Sequence, residues 1–100
     1  MEITIVNEDE VLISLPEKLD FKQAPKLLEL LSDLKGRELI KITFGCKNLT
    51  YLSSAGIRAI IFAQQKISKE MTIVMSSVCE DVLEVLDMCG ISDFIEFTTS

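Results

Sequence analysis

Hydrophobic residues along this chain repeat with two periods. Ile3 and Ile5 flank Thr4, and Val11, Ile13 and Leu15 flank Leu12 and Ser14. A period of two marks strands, here 2–6 and 11–15. The short polar run Asn7-Glu8-Asp9-Glu10 between them predicts a hairpin. Leu15 to Asp20 reads as a loop ending in a helix cap, because Asp20 and Gln23 stand three apart as in a capping box. Leu27, Leu28, Leu30, Leu31 and Leu34 then share a helical face, with Gly36 as the stop. Pro25 falls inside that helix, which points to a loose turn over 20–24 and a helix beginning at Pro25.

Leu39-Ile40-Lys41-Ile42-Thr43-Phe44 is the strongest strand pattern and lies between two helical stretches, so it is expected to be central and parallel to a neighbour. After a loop over 45–51, a second helix runs from Ser54 to about Lys69 and carries Ile57, Ile60, Ile61, Phe62 and Ile67. Residues 71–75 predict a further strand. Ser76 or Ser77 is expected to cap a third helix, with Val78, Val82, Leu83, Val85, Leu86 and Met88 mainly inward and Gly90 as its stop. Residues 94–97 close the chain as a short strand. The order β-β-α-β-α-β-α-β predicts an α/β domain, a mixed β-sheet with helices packed on it.

Composition narrows what such a domain does. One hundred residues, 48% of them hydrophobic, make one domain over 1–100 with an aliphatic core. The net charge of −6 lacks the basic footprint that gripping a phosphate backbone requires, so no nucleic acid partner is expected. No apolar run is long enough to cross a bilayer, and Met1 to Ile5 lacks the features of a secretion signal. Cys46, Cys79 and Cys89 are odd in number and irregularly spaced. They predict free, buried thiols and a cytoplasmic protein. With no histidine, they also miss the ligand spacing of a zinc site. The absence of histidine removes the usual general base and excludes Ser-His-Asp and Cys-His hydrolases. No glycine-rich phosphate loop is present. Neither an enzyme nor a cofactor is expected.

The candidate chemistry lies in Tyr51-Leu52-Ser53-Ser54-Ala55-Gly56-Ile57-Arg58, two serines at the start of an apolar helix. With Ser53 as N-cap, Leu52 and Ile57 take the two positions of a hydrophobic staple. With Ser54 as cap, Arg58 would fall there and the staple would fail. Ser53 is therefore the expected cap, and Ser54, the first helical residue, keeps a hydroxyl free to face solvent. Ala55 and Gly56 keep the surroundings small, which suits either the close approach of another chain or packing against a neighbouring strand. A phosphate on Ser54 would add nearly two negative charges beside the positive helix end. Geometry alone leaves both a plain cap and a phosphate switch open.

This segment resembles the signature of the STAS family, the bacterial anti-sigma factor antagonists. Their usual signature is Asp-Ser-Ser-Gly-Leu, with a variant Ser-Ser-Ala-Gly-Leu-Arg that this chain matches with Ile57 in place of leucine. The Leu19-Asp20 turn, the 39–44 strand and the closing Leu83 to Phe97 extend the resemblance over essentially the whole chain. It implies a single STAS domain that acts in transcription regulation by partner switching. Unphosphorylated, such a domain binds a serine kinase anti-sigma factor and so frees the sigma factor. The kinase phosphorylates the signature serine, aligned with Ser54, and breaks the complex; a PP2C-type phosphatase restores it. The resemblance implies partner-binding roles for Asp20, Tyr51, Ser53, Ser54, Ala55, Gly56 and Arg58. Two positions depart from the pattern. Ser53 stands where the family has an aspartate associated with phosphorylation, and Lys18 where it often has glycine. The alternative is a constitutive STAS interaction subunit of a transporter or larger signalling complex, with no phosphorylation switch.

Overall fold

Five strands form one sheet, and their order follows from the need of parallel neighbours for a crossover. The computed structural model describes residues 1–67 and 71–99. β1 (Glu2–Ile5) and β2 (Glu10–Ser14) pair antiparallel, with Ile3 opposite Ile13 and Ile5 opposite Val11. The turn between them is closed by the Val6 N–H to the Glu10 carbonyl at 3.0 Å, while the Asn7 side chain accepts from the Asp9 N–H at 2.8 Å. β3 is the two-residue strand Lys18–Leu19, and α1 (Ala24–Asp33) follows it. β4 (Lys41–Gly45) precedes a second two-residue strand, β5 (Tyr51–Leu52), and α2 (Ser54–Lys66). β6 (Thr72–Ser76), α3 (Glu80–Met88), a 3-10 turn over Ser92–Phe94 and β7 (Ile95–Thr98) complete the chain. The sheet order is β1-β2-β4-β6-β7, with every pair after the first parallel. β4 is central, flanked by parallel β2 and β6 as its position between helices predicts.

The register aligns the apolar rows. Ile3, Ile13, Phe44, Met75 and Phe97 share one row, and Ile5, Val11, Ile42, Ile73 and Ile95 the next. The middle of both rows is buried in one cluster with Leu27 and Leu31 of α1, Ala59, Ile60 and Ala63 of α2, and Val82 and Leu86 of α3. Each fully buried aliphatic side chain contributes about 1.5–3 kcal/mol. Ile3 and Ile5 stay partly exposed because β1 is an edge strand with cover on fewer sides.

Several expected boundaries move. Residues 21–23 form the loose turn, and α1 begins at Ala24 with Pro25 in its first turn. The helical face holds for Leu27, Leu31 and Leu34, with Leu28 and Leu30 on its flank. The two-residue strands β3 and β5 are absent from the sequence pattern, being too short to show any period. The expected end of the second helix near Lys69 lies outside the described residues. Neither Ser76 nor Ser77 caps α3. Ser76 still belongs to β6, Ser77 takes a left-handed φ of 57°, and Cys79 is the N-cap without a side-chain capping bond, its thiol donating to the Leu49 carbonyl at 3.6 Å instead. Met88, expected inward, is 87% exposed because it lies about 200° around the helix from the buried Leu86. Gly90 does stop α3. Its φ of +74° lets its N–H reach the Asp87 carbonyl and the Ile91 N–H reach that of Leu86. Of the cysteines, only Cys46 is buried; Cys79 and Cys89 are exposed. No helix among the described residues is long and apolar enough to cross a membrane.

Candidate functional site

The two short strands carry the serine turn. Lys18 pairs with Tyr51 and Leu19 with Leu52 in parallel. The Glu17 carbonyl accepts from the Thr50 and Tyr51 N–H groups at 2.8 and 3.2 Å, and from the Thr50 hydroxyl at 3.3 Å. This small ladder ties the segment before α1 to the segment before α2. The two stretches that carry the candidate residues, 18–23 and 51–58, thus become one surface.

Ser53 is the N-cap of α2, in extended conformation with φ −83° and ψ 168°. Its Oγ accepts from the Gly56 N–H at 3.2 Å and donates to the Leu19 carbonyl at 3.0 Å. The Ser53 N–H reaches the same carbonyl at 3.1 Å. Both functions of this hydroxyl are occupied within the fold. Leu52 and Ile57 are buried in the common core, as a staple requires. Ser54 is the first residue of α2 and exposed, with no hydrogen bond to its hydroxyl among the described residues. Arg58, also exposed, lies four residues on and therefore on the same face of the helix.

Gly56 is buried. A Cβ built on it would lie 2.6 Å from the Leu19 carbonyl oxygen and 2.9 Å from both Leu19 Cγ and Leu52 Cδ1. The close approach it permits is internal, to β3. Gly56 therefore belongs to the support of the turn. Ala55 is half-buried beside it.

Asp20 works locally. Its Oδ1 accepts from the Lys22 and Gln23 N–H groups at 3.0 and 3.1 Å, fixing the turn before α1. Gln23, at the N-cap position, makes no side-chain cap bond of its own, so the expected reciprocal capping box is half made. Asp20, Tyr51 and Ser53 come together with Lys18 and Phe21 around a shallow depression of about 350 Å³. Phe21 and Tyr51 are 71% and 52% exposed there, large side chains held out to solvent. Behind the turn, Cys46 is buried in the loop leading to β5. Burial, with a smaller contribution from Cys79 nearby, pushes its thiol from 9.0 up to about 12. No group of side chains suited to a metal ion occurs among the described residues.

Fold and turn together define a small α/β domain with an accessible serine at a helix start. The sequence model of the STAS domain matches residues 2–100, and the chain belongs to the STAS domain family. Among solved structures it is similar to the anti-sigma factor antagonist SpoIIAA in its unphosphorylated form. There the TM-score is 0.85 at 14% identity, over 99% of this chain and 88% of that one. It is also similar to the Bacillus cell fate determinant SpoIIAA in the phosphorylated form, with TM-score 0.78, 14% identity and coverage of 99% and 91%. An anti-sigma-factor antagonist (STAS) domain protein from Planctomyces limnophilus gives TM-score 0.84, 15% identity and coverage of 99% and 88%. At these identities the likeness establishes the fold. No curated protein matches the chain.

Proposed function

We propose that this STAS domain is a non-enzymatic anti-sigma factor antagonist of the cytoplasm, switched by phosphorylation of Ser54. The observation that carries the reading is the division of labour between the two serines. Ser53 is committed to Gly56 and Leu19, whereas Ser54 presents an uncommitted hydroxyl at the helix start. In this reading the unphosphorylated surface of Tyr51, Ser54, Arg58 and the Asp20 turn binds a serine kinase anti-sigma factor. A phosphate there gains from the helix N-terminus and from Arg58 on the same face, so the domain stays folded. The partner, packed against the same spot, meets a bulky dianion and leaves. A PP2C-type phosphatase restores the docking surface.

The experiment is to incubate the protein with a serine kinase anti-sigma factor from the same genome and ATP, then map the phosphate by mass spectrometry. One phosphate on Ser54, none on the Ser54→Ala variant, and at least about tenfold weaker kinase binding by Ser54→Asp (about 1.4 kcal/mol) are expected. Phosphate elsewhere, or equal binding by the Ser54→Ala and Ser54→Asp variants, overturns the switch. Equal binding selects the second reading, a constitutive STAS interaction subunit. One observation favours that alternative: Ser53, where the family pattern has aspartate, spends its side chain entirely on the fold.

A further inference from the structure

The charge of this chain is segregated along its length. All ten Lys and Arg lie in residues 1–70, where ten Asp and Glu balance them. Residues 71–100 hold Glu80, Asp81, Glu84, Asp87, Asp93 and Glu96 and no basic residue, so the whole net charge of −6 belongs to the last third. Folding gathers much of it at one place. Glu80, Glu84 and Asp87 follow the i, i+4, i+7 spacing and form one stripe of α3. With Leu83, Ser92 and Phe97 they line a groove of about 380 Å³ between α3 and β7. Among the described residues none of these carboxylates makes an ion pair. Asp87 sits in the last turn of α3, where the helix dipole disfavours an anion and no basic residue compensates. Among the described residues its carboxylate accepts one hydrogen bond, from the Ser92 hydroxyl at 2.7 Å.

The floor of the groove is apolar and its outer wall is a sheet edge. Phe97 is 38% exposed and Leu83 half-buried. Among the described residues β7 ends the sheet, paired with β6 on one side only, so its outer row of N–H and C=O groups is open to a further strand. An acidic stripe, two apolar contacts and an open ladder therefore lie side by side. The first selects a cation, the second an apolar anchor, and the third an extended backbone.

We infer that the α3–β7 groove is a second docking surface, which takes an extended, lysine- or arginine-bearing segment of a partner protein as an added strand on β7. This surface does not depend on the Ser54 reading. Its charge complementarity commits the occupant to a basic segment, and the open edge commits that segment to a strand.

The test is an NMR titration of the whole protein with a capped eight-residue peptide, Lys-Ser-Val-Ser-Lys-Ser-Val-Ser, which as a strand puts its lysines and valines on one face and is slightly longer than a typical strand. Shifts confined to 80–87 and 92–98 are expected, with slowed amide exchange in β7. Affinity falls about threefold between ~0.05 and ~0.3 M salt, as screening requires. The double variant Glu80→Gln and Glu84→Gln, both on the surface, binds about fivefold more weakly. A peptide with serine in place of valine also binds more weakly, because it has no anchor for Leu83 and Phe97. The inference is overturned by equal binding to the double variant, by equal binding of the serine peptide, or by shifts at 51–58 in place of the groove. It is equally overturned by tighter binding of a helical peptide of the same composition, or by no binding at millimolar peptide.

Discussion

Replacing Gly56 with alanine tests whether the serine turn is held as the structure describes. Taken by itself, the change favours the helix, by up to about 1 kcal/mol for a glycine in a helix interior. The added methyl, however, would lie 2.6 Å from the Leu19 carbonyl oxygen, a backbone atom, and 2.9 Å from Leu19 Cγ and Leu52 Cδ1. Flexible side chains can yield a few tenths of an ångström. The Leu19 carbonyl has less freedom, because it accepts from both the N–H and the hydroxyl of Ser53 and sits in the β3–β5 ladder. Overpacking costs about 1–3 kcal/mol, and loosening the two bonds to Ser53 costs about 1 kcal/mol each. Against the helix gain, the net loss is about 2–4 kcal/mol. For a domain of this size a loss of about 3 kcal/mol lowers Tm by roughly 12–24 °C. Thermal and urea unfolding followed by circular dichroism measure it, and amide exchange at Ser53 should quicken in the same variant. An unchanged or raised Tm would show that β3 does not lie against the start of α2, and the assignment of roles to the two serines would fall with it.

Three further outcomes follow from the same geometry. Ser53→Ala should cost about 1–2 kcal/mol through the lost cap and the lost bond to Leu19, whereas Ser54→Ala should stay within about 0.5 kcal/mol as an exposed change; urea midpoints of the pair decide between them. Cys46 should make the fold sensitive to alkali. Its neutral thiol is favoured in the native state, so its contribution is complete below 9.0 and is lost as pH rises from there through about 12. That is at most about 4 kcal/mol over the interval, and Cys46→Ala should flatten the decline. A thiol reagent added to the native protein should label Cys79 and Cys89 rapidly and Cys46 only on unfolding, since only Cys46 is buried; rapid modification of all three would contradict the packing of the loop before β5.

Much of this molecule is legible in its residues, where the signal is long or local. The alternation at 2–6 and 11–15 and the leucine face of α1 announce their elements because each spans several periods. The capping role of Ser53 is legible because it depends on its immediate neighbours. Choosing Leu52 and Ile57 as the staple places the cap, and the hydrogen bond to the Gly56 N–H agrees. Local pattern fails where a partner distant in sequence decides the outcome. Two residues cannot display a period, so β3 and β5 emerge only when Lys18–Leu19 meets Tyr51–Leu52 across more than thirty positions. Met88 repeats the apolar character of its helix yet faces water, because inwardness depends on which side of α3 meets the sheet.

The chain's own order of apolar periods, caps and breakers determines its elements, its α/β class and the identity of the serine that must hold the helix. Those are properties of residues within a few turns of each other. Tertiary structure alone decides why Gly56 is needed, since its neighbour is a carbonyl 37 positions earlier in the chain. It also decides that Phe21 and Tyr51 stand out around one depression with Asp20 and Ser53, and that the carboxylates of α3 share a groove with an open strand edge. Each of these depends on which distant backbones are brought together, and burial and register set that only once the sheet has closed.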